Sequence, residues 1–181
     1  MSEIDLPDRT APGPTGPECR AIAMAKLRLD PDDHVVDVGA GTGAVSIEAA
    51  QRADRVTAIE RDPDRAAGIE RNLAANDVDN VAVRTGDAPG SLPAEADAVF
   101  VGGTRRLDAV IDRLADIDPR HVVVHAARMA VATDAIAAFE TRGWLEESLA
   151  VRIDRGQSLA GTTALDPERP VFVVVAAPGK S

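Results

Sequence analysis

The sequence predicts an α/β fold: an open, mostly parallel sheet with helices on both faces, finished by an antiparallel pair at the C-terminus. Three observations predict it. Short apolar runs alternate with helix-period segments along most of the 181 residues, the pattern that stacks helices on a parallel sheet. The last two strand-like runs have no helix between them, which fits antiparallel pairing. The first strand ends in a run of alternating glycines that opens the next helix, and open α/β sheets bind ligands at such strand ends.

From the N-terminus, residues 1–17 are acidic and carry Pro7, Pro12, Pro14 and Pro17, which predicts an extended arm and not a packed element. Residues 18–181 read as a single domain, long enough to bury a core. Residues 17–29, PECRAIAMAKLRL, put a proline in a first helical turn and set Ile22, Met24, Ala25 and Leu29 on one apolar side. The runs HVVDV (34–38), RVTAI (55–59), NVAVR (80–84), DAVFV (97–101), HVVVHA (121–126) and PVFVVVA (170–176) read as buried strands. Helices are expected between most of them, at 44–53, 63–76, 105–117 and 132–143, with Pro63 opening the second and Asn76 closing it. Residues 145–156 form the penultimate strand, and QSLAGTTALDPE (157–168) reads as a loop.

Composition narrows the partners. The net charge is −10, from 30 acids and 20 bases, and the bases are almost all arginine: only Lys26 and Lys180 are lysines. A diffuse acidic surface repels phosphate backbones and anionic bilayers, so neither nucleic acid nor membrane is an expected partner. An Asp-rich, Lys-poor surface suits a halophilic cytoplasm, because the Debye length falls to about 3 Å at molar salt and self-repulsion is screened. Cys19 is the single cysteine, which excludes an internal disulfide and fits a cytoplasmic location. The N-terminus lacks the layout of a signal peptide, and there is no apolar run near 18 residues. No metal is expected.

The stretch VVDVGAGTGAVSIEAA (35–50) carries the chemistry. Gly39 and Gly41 let backbone pass close to a ligand, Gly43 lets the helix pack tightly, and the helix N-terminus offers free N–H groups. The dinucleotide fingerprint is G-x-G-x-x-G; the G-x-G-x-G spacing here is the form typical of S-adenosylmethionine enzymes. Glu60 closes the next strand, where a carboxylate accepts from both hydroxyls of a ribose. Asp87 and Ala88 follow the third strand, placed to accept from an adenine amino group and to offer a backbone N–H. Alone, the loop is a tight turn, Glu60 a solvated acid and Asp87 a turn cap; together, at three successive strand ends, they form one constellation. Asp37 has two readings, steering the methionine ammonium through water or satisfying loop amides.

The acceptor is not read as nucleic acid. After the fourth strand, where base and amide methyltransferases carry an Asn/Asp-Pro-Pro-Tyr/Phe clamp, the chain has FVGGTRR (100–106), and it has no tyrosine and only Trp144 as tryptophan. The segments GPTGPECRAIAMAKLRL, DVGAGTGAVSIEAA, AIERDP, GDAPGSLPAEADAVFVGGT and RGQSLAGTTALDPERPVFVVVA resemble the decarboxylating cobalt-precorrin-6B carbon-15 methyltransferases of cobalamin biosynthesis. The resemblance spans about residues 13–177. It implies a Rossmann-like class I methyltransferase with a seven-stranded sheet and S-adenosyl-L-methionine as methyl donor. It implies methylation of a polycarboxylate tetrapyrrole at carbon 15, with loss of the ring acetate carboxylate at carbon 12 to give cobalt-precorrin-7, and a homotetramer. It assigns Thr15, Gly39, Ala40, Gly41, Thr42, Gly43, Glu60 and Ala88 to the cofactor, beside Asp87; read on its own, Thr15 is a solvent-facing arm residue.

Methyl transfer from a sulfonium is an in-line displacement that disperses charge, so catalysis rests on holding the nucleophilic carbon about 3 Å from the methyl group. The conjugated macrocycle takes up the electron pair of decarboxylation, leaving the protein to bury and orient the carboxylate. No nucleophile, acid or base is named. Carboxylate-rich substrates call for arginine forks, which points to the turn Gly102, Gly103 and Arg105 and to Arg155, with Arg106 and Arg128 nearby; each arginine has the alternative of pairing with a surface acid. His125 reads as a core or strand-end residue before a proton carrier, Cys19 as a small helix residue and Trp144 as packing at the sheet edge. The competing functions are a protein or RNA methyltransferase of the same fold and a non-enzymatic S-adenosylmethionine-binding subunit.

Overall fold

The computed structural model describes residues 4–9, 15–159 and 161–179. Its elements are α1 (Pro17–Leu27), β1 (His34–Val38), α2 (Ala44–Ala50), β2 (Arg55–Glu60), α3 (Pro63–Ala75), β3 (Val81–Thr85), β4 (Ala98–Val101), α4 (Leu107–Ile117), β5 (His121–Ala126), α5 (Met129–Thr141), β6 (Leu145–Val151), β7 (Asp154–Leu159), β8 (Thr162–Pro167) and β9 (Val171–Ala176). Seven strands form one sheet in the order β3-β2-β1-β4-β5-β9-β6. The first five are parallel, and β9 inserts antiparallel between β5 and β6. Chain order reverses between β1 and β4. At that switch point the outgoing loops of two neighbouring strands diverge to opposite faces and leave a crevice.

The central strands are apolar on both sides because both sides are covered. On one face Val36, Val38, Val99, Val101, Val122, Val124 and Val174 pack with Val110, Ile111 and Leu114 of α4 and Ala135 and Phe139 of α5. On the other, Val35, Phe100, Val123, Val173 and Val175 meet Ala23, Met24 and Leu27 of α1 and Val45 and Ala49 of α2. Local signals fix the helix entering from β2: the Asp62 side chain accepts from the amides of Asp64 and Arg65, and Pro63 occupies the first turn.

Two expectations are corrected. The described part of the arm is packed: Ile4 and Leu6 are buried with Ala44, Ile47, Ile69 and Leu73. Buried Asn72 accepts from the Asp8 amide and donates to the Asp8 carbonyl, and Asn76 does the same for Asp5. Proline enrichment excludes helix from this segment but does not exclude burial of alternate side chains from an extended backbone. Each of the two aliphatic side chains contributes up to about 1.5–3 kcal/mol. The 157–168 segment is not a loop: β7 and β8 pair antiparallel from Asp154↔Pro167 to Leu159↔Thr162, turning through Gly161 at φ +79°. Nearly every residue of the pair is exposed, so it has no buried face to impose a period-2 apolar pattern. Residues 10–14, which include Gly13 and Pro14 of the GPT motif, lie outside the described residues. Among those described, no helix is long and apolar enough to cross a membrane.

Candidate functional site

A crevice of about 310 Å³ opens at the carboxyl ends of the strands, over the switch point. Its floor is the loop after β1. The amides of Gly39 and Ala40 both donate to the Ile59 carbonyl at 2.9 and 3.0 Å, and that of Gly43 donates to the Ala40 carbonyl at 2.8 Å. This winding places all three glycines at positive φ, +76°, +61° and +76°, where other residues are strained. They differ in what surrounds them. A Cβ on Gly39 would stand 2.5 Å from the Gly103 Cα, and one on Gly43 would stand 2.8 Å from the Ile69 Cγ2. One on Gly41 would meet nothing nearer than 3.9 Å. The first glycine therefore admits the neighbouring loop, the third admits α3, and the second keeps the crevice open. The amides of Gly102 and Gly103 hold that neighbouring loop by donating to the Val38 carbonyl at 2.9 and 2.8 Å.

Glu60 is buried at the end of β2. Its two oxygens accept from the amides of Gly41 at 3.0 Å and Asp62 at 3.1 Å, which fixes the carboxylate while each oxygen keeps a free lone pair. The Gly86 amide donates to the Glu60 carbonyl and so brings the loop after β3 alongside. There Asp87 is exposed, Ala88 is buried, and both line the crevice.

Asp37 is held far from its ordinary state. It is buried in the middle of β1's exit and lines the crevice. One oxygen accepts from the Ser46 hydroxyl at 2.6 Å; the other has no partner. Burial raises its pKa to about 6, against the opposing pull of the Ser46 hydrogen bonds. A buried carboxylate oxygen without a donor is costly, and here it faces a cavity.

Thr15 lines the same crevice. Its carbonyl accepts from Arg20 at 2.7 Å, and Arg20 is held by Glu48 of α2 at 2.8 Å in an ion pair with both side chains buried. Sequence reading passed over this pair; its signal was two long charged residues on the inner sides of apolar helices. It also passed over Asn72, whose amide donates to the Thr42 carbonyl and so joins arm, α3 and glycine loop. The sequence marks Phe100 only as a strand residue, yet it lines the crevice. His125 packs edge-on to Phe100, with ring centroids 4.8 Å apart and both ring nitrogens unpartnered. Burial lowers its pKa to about 4, so it is neutral near pH 7.

Of the residues expected on the acceptor side, Gly102, Gly103 and Arg105 line the crevice and Arg155 does not. Arg155 lies on β7 and pairs with Glu18 at 2.9 Å and Glu168 at 2.5 Å; the Glu18 pair ties the hairpin to the first turn of α1. Cys19 is buried in α1, and Trp144 packs beside Phe139 under the Arg142 guanidinium.

Residues 14–177 match a sequence family described as the precorrin methyltransferase domain. A protein of Halobacterium salinarum, named probable cobalt-precorrin-6B C(15)-methyltransferase (decarboxylating), is 46% identical over 97% of this chain and 94% of its own length. The solved structure of a Methanobacterium thermoautotrophicum protein described as precorrin-8W decarboxylase superposes with a TM-score of 0.90 at 30% identity, covering 98% of this chain and 100% of that one. At 14% identity the fold alone is shared: a SAM-dependent O-methyltransferase of Thermotoga maritima superposes with a TM-score of 0.75, over 91% of this chain and 66% of that one.

Proposed function

The chain belongs to the precorrin methyltransferase family, and from that premise we propose that it methylates carbon 15 of cobalt-precorrin-6B and removes the carboxylate of the carbon-12 acetate, giving cobalt-precorrin-7. The methyl donor is S-adenosyl-L-methionine, which supplies an electrophilic methyl group on a sulfonium. The observation that carries this reading is the crevice at the switch point, where a bare glycine loop, the Glu60 carboxylate and the turn after β4 meet. The crevice suits this donor in three respects. Its volume is that of a small-molecule site, Gly41 leaves backbone exposed to it, and the unpartnered Asp37 oxygen is placed for a cation.

The roles follow from position. Glu60 accepts the ribose hydroxyls, with its orientation already set by the amides of Gly41 and Asp62. Asp87 and the Ala88 amide take the adenine edge. Asp37 faces the methionine ammonium, and Gly39, Ala40, Thr42 and Gly43 form the loop beneath. Thr15, braced by Arg20, closes the crevice from the arm. Gly102, Gly103 and Arg105 present the acceptor, so that the chain's work is positioning and exclusion of water. In the reaction a carbon–sulfur bond breaks as the carbon–carbon bond forms. The carboxylate of the acetate is lost as carbon dioxide, its electron pair enters the conjugated ring, and the methylene carbon left behind becomes the new methyl group by taking a proton as the ring releases one to solvent.

The same reading places the enzyme in a cytoplasm of high salt, in line with its Asp-rich surface. It also takes the enzyme as a homotetramer assembled through the β7–β8 hairpin, where Leu159 and Leu165 are 61% and 68% exposed. Incubation with methyl-labelled donor and cobalt-precorrin-6B in concentrated KCl tests the reaction. Label entering the corrinoid with release of carbon dioxide supports it. Label entering added RNA or protein while the corrinoid stays unlabelled would favour the alternative, a macromolecule methyltransferase.

A further inference from the structure

A second cavity, of about 400 Å³, lies between the first turns of α4 and the stretch of α5 from Val131 to Ala138. Leu107 and Ile111 line it from α4, Val131 and Ala138 from α5. Thr104 lines both this cavity and the donor crevice, so the two are neighbours across one residue of the turn after β4. Both open at the carboxyl edge of the sheet, since α4 and α5 follow β4 and β5 directly.

The arginines at this junction differ from most of the others. Most arginines of the chain are tied to carboxylates, as Arg71 is to Asp8 and Arg120 to Asp33. Arg105, Arg106 and Arg128 are exposed, and among the described residues none has a side-chain hydrogen bond or ion pair. Arg105 lines the crevice, Arg106 lines the second cavity, and Arg128 caps α5 one turn before Val131. Arg106 is moreover held at φ +56° as the residue preceding α4, a conformation that is strained for a non-glycine residue. Two acids, Asp108 and Asp134, also line the cavity. The cavity's own lining, Arg106 with Asp108 and Asp134, is net negative, and Arg128 one turn before Val131 and Arg105 across Thr104 bring the positive charge that offsets the two acids.

We propose that the α4–α5 cavity seats one carboxylate-bearing edge of the tetrapyrrole, with Arg106 and Arg128 holding its peripheral carboxylates and Thr104 marking the passage to the donor crevice. The inference rests on the proposed methyltransferase reading and adds a site to it. The apolar walls take the ring edge, and the arginine forks take the acid side chains in paired hydrogen bonds. Contacts of that kind survive molar salt because they are no longer than the screening length of about 3 Å. The volume fits an edge, not the whole macrocycle, which leaves the reacting carbon projecting toward the donor.

The test measures KM for cobalt-precorrin-6B and, by calorimetry, affinity for S-adenosylmethionine. It compares the unaltered enzyme with R106Q, R128Q, A138W and D134N. Arg106→Gln and Arg128→Gln are each expected to raise KM about tenfold or more, the loss of a charge-assisted pair. Ala138→Trp, which fills the cavity without changing charge, is expected to do the same. Asp134→Asn, which removes a repelling carboxylate from the surface of α5, is expected to lower KM. Donor affinity should stay within twofold in all four, which also shows that they fold. Unchanged KM in R106Q, R128Q and A138W, with the unaltered enzyme turning over, would overturn the inference and leave the reaction standing. Any arginine variant that fails to fold leaves D134N decisive: a KM that stays level or rises overturns the proposal. Absence of methyl transfer by the unaltered enzyme would overturn the reaction itself, and this inference with it.

Discussion

Gly39→Ala and Gly41→Ala differ by two positions and are expected to fail in different ways. At Gly39, φ of +76° costs an alanine about 1–2 kcal/mol. The new Cβ would lie 2.5 Å from the Gly103 Cα and 2.6 Å from its nitrogen, so the turn after β4 must retreat by about 1 Å to reach ordinary contact. That retreat stretches the bonds from the Gly102 and Gly103 amides to the Val38 carbonyl, now 2.9 and 2.8 Å, each contributing about 1 kcal/mol. The total is a loss of about 3–4 kcal/mol. At Gly41 only the conformational term applies, about 1–2 kcal/mol, because the nearest atom is 3.9 Å away, but the methyl group enters the donor crevice. Urea unfolding should therefore separate the variants by about 2 kcal/mol, with Gly39→Ala the less stable. Calorimetry should show that Gly41→Ala folds and binds S-adenosylmethionine at least tenfold more weakly. Equal stability of the two variants would refute the contact between the two glycine loops.

Further outcomes follow from the buried ionisable groups. Asp37 has a pKa of about 6 in the free protein, and an ammonium favours its ionised form; donor affinity is expected to be level above pH 7 and to fall about tenfold from pH 7 to pH 5, a slope that Asp37→Asn removes. His125 has a folded pKa of about 4 against 6.5 unfolded, so the unfolded chain takes up the proton first and stability falls as pH drops from 6.5 toward 4. Asp37 acts with the opposite sign as pH rises from 3.8 to 6, so the contribution is read as a difference: relative to His125→Phe, the unaltered chain should lose about 3 kcal/mol between pH 7 and pH 4 in urea unfolding. Glu60→Gln turns an amide NH2 toward a backbone N–H that now donates to the carboxylate, leaving a buried donor unpaired at a cost of about 1–3 kcal/mol; thermal unfolding should register that loss, and calorimetry a donor affinity at least tenfold lower.

What was legible in the sequence was whatever covers both faces of the sheet or winds the glycine loop. HVVVHA matches β5 residue for residue because a strand buried on both sides is apolar throughout. The spacing of Gly39, Gly41 and Gly43 carried their site because backbone conformation and close approach act locally. Helix ends were less legible: α4 begins at Leu107, not Arg105, since Arg106 takes a left-handed conformation that side-chain pattern does not announce. The β7–β8 pair was hidden because exposed strands need no alternation. Asn72, the Arg20–Glu48 pair and the packing of Ile4 and Leu6 were hidden because each joins segments distant in sequence, 28 residues apart for Arg20 and Glu48 and 64 for Asp8 and Asn72. Arg155 reads as an acceptor-side residue from its charge and its place near the final hairpin; its pairing with Glu18 and Glu168, 137 and 13 residues away, is set by the fold.

The account stands most directly on donor binding at the switch point. Calorimetric titration of S-adenosylmethionine into the full chain in concentrated KCl should show saturable uptake of one molecule per chain, weakened together by Glu60→Gln and Gly41→Ala. No saturable uptake by the unaltered chain, or uptake that both substitutions leave unchanged, would contradict it.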